Sequence, residues 1–128
     1  MGTWGTGNLD GDGPCDLLDS VIDNLEQEIE ECFGSDGITL QGGEDVLMPA
    51  LHIWSALCET CDGHAPQVEQ LKRWKEAYLP VFEREMPELA DAEFMAQRRK
   101  AIEATFVKLE RQATEYWSKA GGNGSCGN

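Results

Sequence analysis

The side chains best suited to chemistry in this sequence are oxygen and sulfur ligands. Asn8, Asp10, Asp12, Asp16 and Asp19 fall at positions 1, 3, 5, 9 and 12 of a run whose sixth residue is Gly13, the spacing of ligands in a calcium loop. The match is broken in several places. Asn8 stands where such loops lead with Asp, Asp19 is shorter than a closing Glu, Pro14 follows the glycine, and only seven residues precede the run where a helix is expected. The same acids also suit the entry to a helix, where carboxylates accept from free amides and oppose the helix dipole. Calcium binding is therefore the alternative reading. A second group is Cys58-Glu59-Thr60-Cys61, with His64 three residues on and His52 six before. A Cys-x-x-Cys pair can be redox-active or bind zinc, but a redox pair favours a strand-to-helix junction and this one closes an apolar helical run. A helix turns His52 away from Cys58 by about 240°, so zinc would require a distant ligand such as Cys15 or Cys32. Packing as weakly polar core residues is the simpler expectation for these cysteines. There is no His-Glu-x-x-His, no phosphate-binding Gly-x-x-x-x-Gly-Lys and no Gly-x-Ser-x-Gly, and the chain has two histidines. His52, in an apolar run, reads as a hydrogen-bonded core residue. Neither an enzyme nor a cofactor is expected.

The elements that must hold these residues follow from apolar spacing. Leu18, Val21 or Ile22, Leu25, Ile29 and Cys32 recur at steps of three and four, which predicts a helix over 15–33. Gly34 to Gly37 end it, and Ile38 to Leu40 is the one short extended candidate. Asp45 is placed to cap a second helix that runs to about Cys61, is apolar nearly all round and carries Pro49 in its first turn. Pro66 opens a third, with Val68, Leu71, Trp74 and Tyr78 on one face, and Pro80 bends or ends it. After a turn through Val81, Phe82 and Met86, residues 89–117 read as one helix of roughly 40 Å. A length of 128 residues fits one domain, here 1–120, followed by a Gly-rich tail, 121–128, expected to be disordered. The fold expected is an all-α compact bundle of about four helices with an irregular N-terminal segment packed on it.

That segment, Gly2-Thr3-Trp4-Gly5-Thr6-Gly7, has neither helical nor strand periodicity. With Leu9, the acids that follow and Leu17, it resembles the opening of the bacterial domain-of-unknown-function family 4259, a Gly-x-Trp-Gly-x-Gly signature leading through an acidic stretch into a first helix. Gly11, Gly13 and Pro14 depart from the Asn, Asp and Ala usual there, and beyond residue 17 the likeness is limited to helix order and length. The resemblance implies a small helical bacterial protein and no particular activity. Physically, Gly2, Gly5 and Gly7 allow tight turns that would fold Trp4 over the helix ends as a plug.

Charge supplies the remaining information. The net charge is −14, and none of the ten Lys and Arg precedes Lys72, whereas 15 of the 24 Asp and Glu do. On the first helix Asp19, Asp23, Glu26 and Glu30 each lie one residue beyond the apolar set, so they form a row flanking the buried face. Repulsion along that row costs a few tenths of a kcal/mol per pair. Arg98, Arg99, Lys100, Lys108 and Arg111 of the last helix are the expected countercharges. The surplus points to a basic protein partner, met by Asp16, Asp19, Asp23, Glu26 and Glu30 in the manner of an immunity or antitoxin protein. Nucleic acid would be repelled, and no run reaches the ~18 consecutive apolar residues of a membrane span. Five cysteines and no signal-like leader lead us to expect a reduced, cytoplasmic chain. Oligomeric state is not encoded in any feature of this pattern.

Overall fold

The computed structural model describes residues 8 and 10–120, so the Gly2 to Gly7 motif and the tail 121–128 lie outside the described residues. Four long helices and one short turn carry nearly all of the rest, and no strand forms among the described residues. Helix α1 is Asp12–Phe33, α2 the single turn Leu40–Gly42, α3 Met48–Cys61, α4 Val68–Glu85 and α5 Ala92–Ala120. A π turn, Gly43–Leu47, joins α2 to α3, and a 3-10 turn, Met86–Glu88, follows α4.

The ends of these helices differ from the sequence expectation for identifiable reasons. Helix α1 begins three residues before Cys15, and its cap is Gly11 at φ 109°, which offers no side-chain acceptor; Asp12 instead places a carboxylate in the first turn, where it opposes the dipole. Asp45 does not cap the second helical stretch. Thr39 does, its Oγ1 accepting from the Gly42 amide at 2.9 Å, so that Ile38 to Leu40 leads into a helix rather than a strand. Pro66 lies just ahead of α4, whose cap is a reciprocal box: Gln67 accepts from the amide of Gln70, and Gln70 Oε1 accepts from that of Gln67 at 2.9 Å. Pro80 remains inside α4 without ending it. Asp91 caps α5 through the Phe94 amide at 2.8 Å.

One core joins all four long helices. Ile22 and Ile29 of α1, Leu51 and Trp54 of α3, Leu71, Trp74, Tyr78 and Phe82 of α4, and Ile102, Phe106 and Leu109 of α5 are fully buried. Each such side chain contributes about 1.5–3 kcal/mol when withdrawn from water. Helix α3 packs against both α1 and α5, while α5 also packs on α4. Helix α3 is nevertheless not apolar all round in its setting: His52, Ile53, Ala56 and Glu59 are exposed on its outer side.

The π turn is fitted to α4 by the absence of a side chain. A β-carbon at Gly43 would come within 1.9 Å of Cε1 of Tyr78, so the tyrosine ring lies directly on the glycine backbone. Its hydroxyl donates to Glu44 Oε2, and Glu44 also accepts from Arg98 Nε at 2.7 Å and Nη2 at 3.2 Å. By contrast, a β-carbon at Gly13 in α1 would meet nothing within 4 Å. Gly43→Ala is therefore expected to destabilise by about 3 kcal/mol, as overpacking against a fully buried ring. Gly13→Ala should stabilise by about 0.5 kcal/mol through helix propensity. Urea unfolding midpoints of the two variants check the pair of opposite signs.

Candidate functional site

The acidic row lies where its spacing places it, along one flank of α1 beside the buried Leu18, Ile22 and Ile29. Asp16, Asp23 and Glu30 are exposed, and Asp19 and Glu26 are partly covered. Their countercharges do not come from α5. Arg98 serves Glu44, Arg99 Nη2 reaches Glu83 at 3.0 Å, and Lys108 reaches Glu59 at 3.2 Å. The row is met by the segment that opens α4 and the loop before it. His64 Nδ1 lies 3.2 Å from Asp19 and its Nε2 3.8 Å from Asp23, Gln70 Nε2 donates to Glu26 at 2.6 Å, and Arg73 Nη2 donates to Glu30 at 2.5 Å. The correction has a simple cause: α1 packs chiefly on α3 and the π turn, while α5 packs on α3 and α4.

The loop 62–67 is held by aromatic donors from two helices. Trp54 Nε1 donates to the His64 carbonyl at 2.8 Å, Cys58 Sγ donates to the same oxygen at 3.8 Å, and Trp117 Nε1 donates to the Pro66 carbonyl at 3.1 Å. Asp62, left-handed at φ 57°, closes α3, and Gly63 passes so near α1 that a β-carbon there would come within 2.6 Å of Ile22 Cδ1. The His64 ring stands edge-on to Trp54 at 6.4 Å. Backbone and ring positions are thus set by buried groups, while the polar contacts to Asp23 and Glu30 face water: Asp23 is 71% and Arg73 59% exposed. Exposed pairs of this kind contribute about 0.2–1 kcal/mol each.

The ligand alternatives are arranged differently from the expectation. Residues 12–19 form the first two turns of α1, so Asp12, Asp16 and Asp19 lie along a helix and not in a loop of the expected kind. Among the described residues no group of three or more His, Cys, Asp and Glu converges to hold a metal. The two His64 nitrogens face two different carboxylates, and His52 is an exposed residue rather than a core one. Cys58 and Cys61 are half-buried, as core-edge cysteines should be, and burial pushes the Cys58 thiol up to about 11, which opposes thiolate chemistry. Cys15 is disulfide-bonded, which departs from the fully reduced chain expected, and Cys32, Cys58 and Cys61 carry free thiols.

Two further polar features were not anticipated. Glu44, Tyr78 and Arg98 form a part-buried network across the π turn, α4 and α5. Ser55 and Gln112 exchange bonds at 2.8 and 3.1 Å beside a cleft of about 290 Å³ between α3 and α5, rimmed by His52, Glu59 and Lys108. The Gly42-Gly43 pair is the sequence feature that accompanies the first, and nothing in the apolar spacing marks the second. The chain matches no family model, no curated protein and no solved structure.

Burial also raises the Tyr116 and Cys32 side chains and lifts Tyr78 strongly, the last aided by its bond to Glu44. Each of these acids keeps its proton longer in the folded than in the unfolded chain. Their contribution is complete below the unfolded values and is lost as pH climbs through the folded ones. Stability should therefore fall from about pH 9 towards about 11, the window set by Cys58. Cys58→Ala should make that decline shallower without abolishing it. Urea midpoints measured across the alkaline range provide the check.

Proposed function

We propose that this protein is a non-enzymatic interaction module whose acidic α1 face binds a basic protein partner, as an immunity or antitoxin protein covers a cationic surface. The observation that carries the reading is the net charge of −14, with no Lys or Arg before Lys72, combined with an α1 flank reached by one arginine and one histidine. Asp16, Asp23 and Glu30 project from that flank into solvent, and Asp19 and Glu26 continue the row beneath them. A summed field of this sign speeds encounter with a cationic surface and repels a phosphate backbone, so nucleic acid is not the partner class. No helix among the described residues is long and apolar enough to cross a membrane.

Membership of the bacterial family 4259 belongs to the same reading and is supported by the Gly2, Trp4, Gly5 and Gly7 pattern. A cytoplasmic setting also belongs to it, supported by the free thiols of Cys32, Cys58 and Cys61. The disulfide at Cys15 is the observation that pulls against that setting.

A deca-arginine peptide is a suitable probe at low ionic strength. The triple variant Asp16→Asn, Asp23→Asn, Glu30→Gln should bind it about tenfold more weakly than the unaltered chain, an effect that shrinks as salt is added. Removing the same charge elsewhere, with Asp36→Asn, Asp45→Asn and Glu88→Gln, should weaken binding only about twofold. Equal losses in the two variants would show that net charge alone attracts the peptide and that the α1 face is not the surface.

A further inference from the structure

The cleft between α3 and α5 is built from groups that the α1 face does not use. We propose that it binds a small primary alkylammonium ion, held through its N–H groups by the oxygens of Ser55, Glu59 and Thr105, with its methylenes against Ala56 and Ala104. This site stands apart from the basic partner read for α1, since it shares no residue with that face.

Space in the cleft comes from small side chains. Ala56 on α3 and Ala104 on α5 both line it, and neither is long enough to close it. The volume of about 290 Å³ is near the lower end of small-molecule sites, which suits a ligand of a few heavy atoms.

The chemistry of the lining selects a hydrogen-bond donor. The Ser55 hydroxyl gives its hydrogen to Gln112 Oε1 at 2.8 Å, and the Thr105 hydroxyl gives its own to the Ala101 carbonyl at 2.9 Å. Each oxygen therefore has only acceptor capacity left for the cleft. Glu59 is a third acceptor: Lys108 Nζ donates to its Oε1 at 3.2 Å, and Oε2 remains. An alkylammonium brings three N–H donors and no acceptor, matching these three oxygens in kind. A carboxylate or phosphate would bring acceptors to acceptors and be repelled by Glu59. The net charge of −14 acts in the same direction, raising the local concentration of small cations.

Ser55 is only 4% exposed, a polar residue buried where α3 meets α5, and Gln112 Nε2 returns a bond to its carbonyl at 3.1 Å. An apolar pair of the same shape would hold the two helices together nearly as well, so stability alone does not call for a hydroxyl at this place.

The probe is n-butylammonium, titrated into the full chain at constant ionic strength and followed by backbone amide chemical shifts. Shifts are expected over residues 52–59 and 104–108. Tetramethylammonium carries the same charge without an N–H and should bind about tenfold more weakly, a comparison that needs no variant. Ala104→Leu keeps every charge and fills the cleft from an exposed helical position, so the urea midpoint should hold while butylammonium binding falls about tenfold. Equal binding of the two cations, equal binding to the Ala104→Leu chain, or an absence of shifts in the cleft would each overturn the proposal. None of these outcomes touches the α1 reading, which the deca-arginine variants test separately.

Discussion

Two demands meet on α1, one residue apart. Leu18, Ile22, Leu25 and Ile29 pack inward, whereas Asp19, Asp23, Glu26 and Glu30, each the very next residue, must keep either water or hydrogen-bond donors. A helix cannot satisfy both against a flat apolar wall. The chain solves the problem by seating α1 at the edge of the bundle, on α3 and the π turn, so that the apolar face goes inward and the acidic flank faces the polar start of α4. No cation within α1 could have relieved the row, because none exists before Lys72.

The rest of the architecture serves that placement. Loop 62–67 must cross close to α1, and it does so with Gly63 against Ile22 and with its carbonyls taken by Trp54 and Trp117. Those indole bonds bring buried donors to a segment that would otherwise carry unpaired backbone oxygens at the protein interior. The π turn, which also packs on α1, does comparable work. Its extra residue brings Gly43 under Tyr78 and aims Glu44 at Arg98, tying the entry of α3 to α4 and α5 through one carboxylate. Arg98 is held by that network, and Arg99 and Lys108 of the same helix pair with Glu83 of α4 and Glu59 of α3 instead of with α1.

Helix number and the inward faces were legible in the sequence because Leu18, Ile22, Ile29 and later Ile102, Phe106 and Leu109 follow a helical period that only burial explains. The acidic row was legible for the same reason, being a shifted copy of that period. Which element would face the row was not. Periodicity assigns a face to each helix but says nothing of which neighbour lies beside it, so α5, with the most cations, was the natural expectation and the start of α4 was the answer. Local capping chemistry misled in a second way: Asp45 is a good cap by type, yet Thr39 reaches a free amide first, and the intervening Gly42-Gly43 allows a π turn that no propensity scale anticipates. His52 is exposed where a core setting was expected, because apolar surroundings in sequence do not fix which side of α3 is covered.

The central claim is that the α1 flank, and not the overall negative charge, is the binding surface. Backbone amide chemical shifts recorded during titration with deca-arginine at low ionic strength test it most directly. The account predicts that the largest shifts fall in the α1 turns around Asp16, Asp23 and Glu30 and spread to His64 and Arg73 on the facing segment. Shifts of equal size over the other acidic stretches, around Asp36, Asp45 and Glu88, or no shifts at all, would contradict it.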